Sequence, residues 1–228
     1  MTLKAISLGS IGTIVESSDM QRRAYNRAIQ EAGLDWDWTP ELYSRLLQIN
    51  GGKKRIRQYA EETNTDITEE QITAIHDGKS RIYQAMLREE DISLRAGVAD
   101  LIAAAKADGL KLAWAAGTNM ENLEAILDAL GDQLSFDTFD YYTYQGVLEH
   151  RKPHPETYHK IMDELGVSAD EIIAIEDTAS SLQAPVDAGI RAVATPGALT
   201  SDQDFSQAVA VDRDGKIGDL DWLKSLLP

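Results

Sequence analysis

The segment "AISLGSIGTIVESSD" places Gly9, Ile11, Gly12 and Thr13 in the turn after a short apolar run, a setting suited to handling phosphate groups, yet it supplies no carboxylate there. Ser7 and Ser10 are the hydroxyls in that stretch. A serine needs a base within reach to become a nucleophile, and no histidine is placed near either by sequence. A second segment, "NGGKKRIRQY", packs Lys53, Lys54, Arg55 and Arg57 behind Gly51 and Gly52 in an otherwise acidic chain. Glycines let backbone amides approach an anion, and a helix N-terminus with basic side chains adds to the attraction. This cluster reads either as the polar face of a helix start or as a phosphate receptor, and in the second case Lys53 and Arg55 are the first choices for contact.

The whole chain narrows the chemistry. It holds 228 residues with 43% hydrophobic content, enough for one large domain or a core with a smaller insert. Lys plus Arg number 22 against 38 Asp plus Glu, a formal charge of -16, which disfavours nucleic acid and anionic lipid as partners. Without cysteine there is no thiolate nucleophile and no disulfide, so any metal must come from carboxylates and the four histidines. His150 and His154 have ligand spacing, but Pro153 interrupts any helix there, so metal binding by them is not expected. No signal-like segment or long apolar run is apparent, and a cytoplasmic location is the expectation.

Apolar runs at Lys4 to Leu8, Lys111 to Ala116, Phe136 to Tyr141, Glu171 to Ile175, Arg191 to Ala194 and Ala208 to Val211 read as buried strands. Helical patterns alternate with them at Gly97 to Ala107, Glu121 to Leu130, Pro155 to Leu165 and Ser180 to Ala188. The alternation predicts an α/β, Rossmann-like doubly wound parallel sheet with its ligand beyond the carboxyl ends of the strands. Residues 17–91 carry helical patterns only, at Met20 to Ala32, Pro40 to Leu47, Lys53 to Glu62 and Glu69 to Arg88. They read as a helical cap inserted after the first strand, leaving 1–16 and 92–228 as the core. The aromatics Trp36 and Trp38 are assigned to packing within the cap. Pro185 is expected to make its helix start late or bend.

Four segments, "GTIVESSDMQRRAYNRAIQEAGL", "LRAGVADLIAAAKADGLKLAWAAGT", "RKPHPETYHKIMDELGV" and "IEDTASSLQAPVDAGI", carry a resemblance to the cap-bearing haloacid dehalogenase-like (HAD) phosphatases over almost the whole chain. The stretch "EAGLDWDWTPELYSRLLQINGGKKRIRQY" resembles more narrowly the CbbY-type sugar-bisphosphate phosphatases. In active members the first strand ends in Asp-x-Asp-Gly-Thr, the first Asp attacking phosphorus and the second acting as general acid and base. Here those places hold Gly9 and Ile11, which can do neither. The hydroxyl of the second motif is replaced by Ala116, with Thr118 two places on.

By the same resemblance, Lys152 matches the lysine that neutralises phosphate, and Glu176 and Asp177 match the acidic pair that positions magnesium. Gly117, Thr118 and Thr13 are expected beside the phosphate. With Gly9 in place of a carboxylate, only Asp177, Glu176 and the carbonyl of Ile11 remain for the ion, so no cofactor beyond a weakly held magnesium is expected. Lys152 should then pair with Glu176 or Asp177 across the vacated space. The expectation is a catalytically inactive pseudophosphatase that binds a phosphorylated sugar, a bisphosphate or a protein partner. The alternatives are an active HAD hydrolase with a non-standard nucleophile or water, and a purely structural interaction module.

Overall fold

A computed structural model describes residues 2–9 and 11–227. The chain opens with β1 (Ala5–Leu8) and the short α1 (Ile11–Ile14), then runs through α2 (Ser18–Glu31), α3 (Pro40–Leu46), α4 (Gly52–Glu62) and α5 (Glu69–Glu89). It continues as α6 (Val98–Ala107), β2 (Lys111–Ala115), α7 (Met120–Leu130), β3 (Tyr141–Thr143) and α8 (Glu156–Leu165). The last elements are β4 (Ile172–Glu176), α9 (Ala179–Asp187), β5 (Arg191–Ala194), β6 (Ala210–Val211) and α10 (Leu220–Ser225). No helix among the described residues is long and apolar enough to cross a membrane.

The strands form one parallel six-stranded sheet in the order β3-β2-β1-β4-β5-β6. Alternation along the strands sorts side chains by size. Ile6, Leu8, Leu112, Trp114, Ile173 and Ile175 pack on one face, while Ala5, Ala113, Ala115, Ala174, Ala192 and Ala194 lie on the other. The alanine face lets α8 and α9 approach the sheet closely, with Tyr158, Ile161 and Leu165 of α8 filling the space. Strand order switches at β1, with β2 and β3 added on one side and β4 to β6 on the other, which makes the carboxyl end of β1 the natural ligand crevice.

The helices between β1 and β2 carry an apolar cluster of their own, in which Tyr25, Trp36, Trp38, Tyr43, Leu46 and Ile56 meet. Trp38 stacks on Tyr43 with ring centroids 6.0 Å apart, so the tryptophans pack internally as expected. Caps fix where these helices begin. Thr39 accepts from Leu42 N before Pro40 at the first turn of α3, and Thr68 with Gln71 forms a capping box for α5.

Two local expectations need correction. Phe136 to Tyr141 is not a strand: Ser135 and Thr138 bond reciprocally and fold Phe136–Thr138 into a 3₁₀ turn, and the strand follows as Tyr141–Thr143. Pro185 does not delay α9, which starts directly after its cap Thr178; the ring sits near the last turn, where only one helical bond is lost.

Candidate functional site

A cleft lies at the carboxyl ends of the strands. Its floor comes from the turns after β1, β2 and β4, and its roof from α2 to α5. On the floor, Gly9 N donates to Ile175 O at 2.7 Å. A Cβ at position 9 would fall 2.2 Å from Glu176 Oε2 and 2.5 Å from Ile175 O. The space beside the first strand that a side chain would need is therefore filled by Glu176. Its Oε1 accepts from Lys152 Nζ and, at 2.5 Å, from the Tyr158 hydroxyl. Lys152 Nζ also donates to Ala115 O at 2.7 Å and stands 5.3 Å from the Tyr158 ring centroid. Burial, reinforced by Glu176, pushes the Tyr158 phenol well above its ordinary range, so it remains a proton donor.

The expected pairing of Lys152 with the acidic pair is thus present, and it selects Glu176. Asp177 is left with Oδ1 buried and without a protein hydrogen bond. Burial first, then the neighbouring Glu176 charge, raises its pKa to about 7, against the pull of Lys152. Asp177 Oδ2 lies 2.0 Å from where a Cβ on Gly12 would be, so glycine at 12 is what lets this carboxyl reach the cleft.

Overpacking the floor gives a direct test of this crowding. Gly9→Ala is expected to destabilise the protein by about 1–3 kcal/mol, read as a lowered midpoint in urea unfolding, because Glu176 and the Ile175 carbonyl must both move. An unchanged midpoint would show that the space is open.

Ile11 lines the cleft and is nine-tenths buried, leaving an apolar side chain at the place the resemblance gives to the general acid and base. Ala116 is buried, and its carbonyl accepts from Thr143 Oγ1 at 2.8 Å. Gly117 and Thr118 do reach the cleft wall, where Thr118 Oγ1 accepts from Asn122 at 2.7 Å. The N-termini of α7 and α9, capped by Asn119 and Thr178, open onto the same space. Both present backbone N–H groups suited to an anion.

Thr13 is corrected: it is fully buried, turns its hydroxyl to Ile175 O at 3.5 Å, and is absent from the cleft wall. Ser7 is likewise fully buried in β1 and reaches no ligand space, while Ser10 lies outside the described residues. Arg95 clips the floor from behind, donating to Gly12 O, Thr195 O and Pro196 O.

On the roof the basic cluster divides according to helix period. Arg55 lies on the inner face of α4, nine-tenths buried and lining the cleft. Its Nε donates to Leu46 O at 2.8 Å and its Nη2 to Ile49 O at 3.1 Å. Lys53 is corrected: its Nζ bonds Thr73 Oγ1 at 3.0 Å, and it is not on the cleft wall. Arg57 is spent in an exposed pair with Glu69.

The side chain that faces Arg55 is Lys79 of α5, which the motifs did not single out. It lines the cleft, donates to Gln21 Oε1 at 2.9 Å, and sits 5.1 Å and 4.9 Å from the Tyr25 and Tyr83 ring centroids. Burial, with the Arg55 charge second, lowers its pKa to about 7. One signal was available: Ile72, Ile75, Lys79, Tyr83 and Met86 form the buried stripe of α5, and a lysine within such a stripe is unusual. His76 also borders the cleft, with its pKa lowered by burial.

The balance of charge is the site's main feature. Among the described lining residues stand Arg55, Lys79, Arg151 and Lys152, the last already paired with Glu176, against Asp177 as the single lining carboxylate. A chain of net charge -16 has concentrated cations in this cleft.

Comparison with known proteins agrees with this geometry. The family model described as haloacid dehalogenase-like hydrolase matches residues 4–189. Protein CbbY of Cereibacter sphaeroides is 34% identical over 206 residues, covering 90% of each chain. The crystal structure of CbbY from Rhodobacter sphaeroides in complex with phosphate superposes with a TM-score of 0.85 at 32% identity, over 96% of each chain. A mutant of that CbbY in complex with xylulose-(1,5)bisphosphate also gives 0.85, at 33% identity over 93% of this chain and 95% of the other. By sequence and by fold, the chain belongs to the haloacid dehalogenase-like hydrolase family.

Proposed function

We propose that this protein binds a sugar phosphate or bisphosphate in the cleft, with residues 17–91 acting as a cap, and that it does so without forming a phosphoenzyme at position 9. The observation that carries this reading is the cluster of Arg55, Lys79, Arg151 and Lys152 against one carboxylate. Lys152 and the amides at the starts of α7 and α9 suit one phosphate, and Arg55 with Lys79 suits a second. A similar protein, CbbY, is described in complex with phosphate and, as a mutant, with xylulose-(1,5)bisphosphate. Gly9 and Ile11 supply neither the attacking oxygen nor the proton carrier of the family mechanism.

A second reading, hydrolysis by a non-standard nucleophile or by water, has its own support. Family membership and the likeness to CbbY weigh towards turnover more than towards lost activity. Asp177 also keeps a carboxylate oxygen free of protein partners at the cleft. That orphaned oxygen fits a cation. Since Glu176 is already engaged by Lys152 and Tyr158, a magnesium ion at Asp177 would retain most of its water. When bound it would neutralise phosphate charge.

A melting screen with and without magnesium, run beside a phosphate-release assay, decides among the readings. A sugar bisphosphate at a hundred times its Kd is expected to stabilise the protein by about 2.7 kcal/mol. No phosphate should be released above background. Release that Asp177→Asn abolishes would establish the second reading. No stabilisation by any ester would sink both and leave a structural module.

A further inference from the structure

The spacing of His150 and His154 would bring two imidazoles to one face only on a helix, and Pro153 forbids that helix. The structure reaches the same juxtaposition in a loop. The two rings stack with centroids 4.5 Å apart and an interplanar angle of 26°. Glu156, the first residue of α8, places Oε2 3.1 Å from His150 Nδ1. One ligand atom from each of the three residues lies within 4.8 Å of the others.

We propose that His150, His154 and Glu156 form a surface site for a divalent transition metal of the zinc, nickel or copper class, separate from the cleft.

The chemistry of the donors sets that class. Two imidazoles and one carboxylate suit these borderline ions, whereas magnesium and calcium want oxygen throughout. Three protein ligands leave a fourth position to water. Glu156 is already held in place: its Oε1 accepts from Glu149 N at 3.0 Å and its Oε2 from His150 N at 2.7 Å. A carboxylate offers about four lone-pair directions, so capacity for an ion remains. Pro153 and Pro155 restrict the loop's freedom, which lowers the ordering cost of binding.

Two contacts compete and both are weak. Lys160 Nζ stands 3.8 Å from Glu156 Oε1, a partly exposed pair of small worth. His154 Nδ1 accepts from Glu156 N at 3.2 Å, so an ion on that ring displaces this long bond, either by taking Nδ1 itself or by taking Nε2 with the ring proton moved to Nδ1. The two histidines are exposed, Glu156 is partly so, and the chain's net charge of -16 raises the local concentration of cations. The same loop carries Lys152, whose ammonium turns inward to Glu176, so an ion bound outside would brace the segment that delivers the cleft lysine.

The test is equilibrium dialysis of untagged protein against zinc chloride and nickel chloride, with His150→Ala, His154→Ala, the double variant and Asp177→Asn alongside. The wild type is expected to bind one zinc per chain at this site. Each single histidine variant should weaken binding at least tenfold with an unchanged melting temperature, and Asp177→Asn should leave this binding intact. Magnesium should not displace the zinc. Equal zinc affinity in the wild type and the double histidine variant would overturn the proposal. So would a failure of the wild type to retain zinc, or retention lost only in Asp177→Asn, which would place the ion in the cleft. None of these outcomes depends on phosphate-ester binding.

Discussion

Lys79→Met is expected to move two properties in opposite directions: the free protein gains stability, and its affinity for a sugar bisphosphate falls by about ten- to a hundredfold. The lysine is buried and donates to Gln21, and no carboxylate among the described residues pairs with it. Its folded pKa of about 7 lies below the ordinary value of 10.5. Between those values the unfolded chain holds a proton that the folded chain does not, so stability rises with pH across that window. Methionine has similar length and no charge, so it removes this slope and should stabilise the protein by on the order of 1 kcal/mol or more below pH 7. Ligand binding responds the other way. A charge-assisted bond to phosphate contributes about 1.5–3 kcal/mol, and only the ammonium form makes it. Wild-type affinity should therefore fall more steeply than the variant's above pH 7, because the variant keeps only the slope due to Asp177 in the same cleft. Calorimetric titration at several pH values, with thermal melts of both proteins, reads both effects. A bisphosphate affinity unchanged by the substitution would remove Lys79 from the binding surface.

Lys152→Met should have the larger effect on stability, a loss of about 3–5 kcal/mol at neutral pH. Glu176 is fully buried, and Lys152 is the basic group paired with it. Removing one partner of a buried pair leaves an uncompensated charge, which costs about that much, whereas replacing both can be neutral. The loss also withdraws the charge that opposes the rise in the Asp177 pKa, so the carboxyl should titrate above its present value of about 7. The double variant Lys152→Met, Glu176→Gln keeps an acceptor for Tyr158 and should recover most of the loss. Chemical denaturation of the two single variants and the double closes the cycle. If Lys152→Met cost less than Glu176→Gln and the effects simply added, the pair would not be a coupled unit.

Much of the fold was legible because its signals are local. Apolar runs such as "IIAIE" are short and separated by glycines, and buried parallel strands leave that pattern whatever their neighbours. The 3₁₀ turn at Phe136 was not legible, because Ser135 and Thr138 compete for the backbone within an apolar-looking run. In the site, Lys152, Asp177 and Gly117 were legible through the family motifs they match, and all three line the cleft. Arg55 and Lys53 differ by two positions on one helix, which turns them roughly 200° apart, and only one could face inward.

The residues themselves determined that position 9 has no side chain, that position 11 has no proton to exchange, and that the chain has no thiol to act as a nucleophile. Those are properties of covalent structure and need no fold. Which lysine lines the cleft and which acid takes the vacated volume were settled by tertiary structure alone. Each depends on distances between segments far apart in the chain, and side-chain packing fixes those distances only once the sheet and its helices have closed around them.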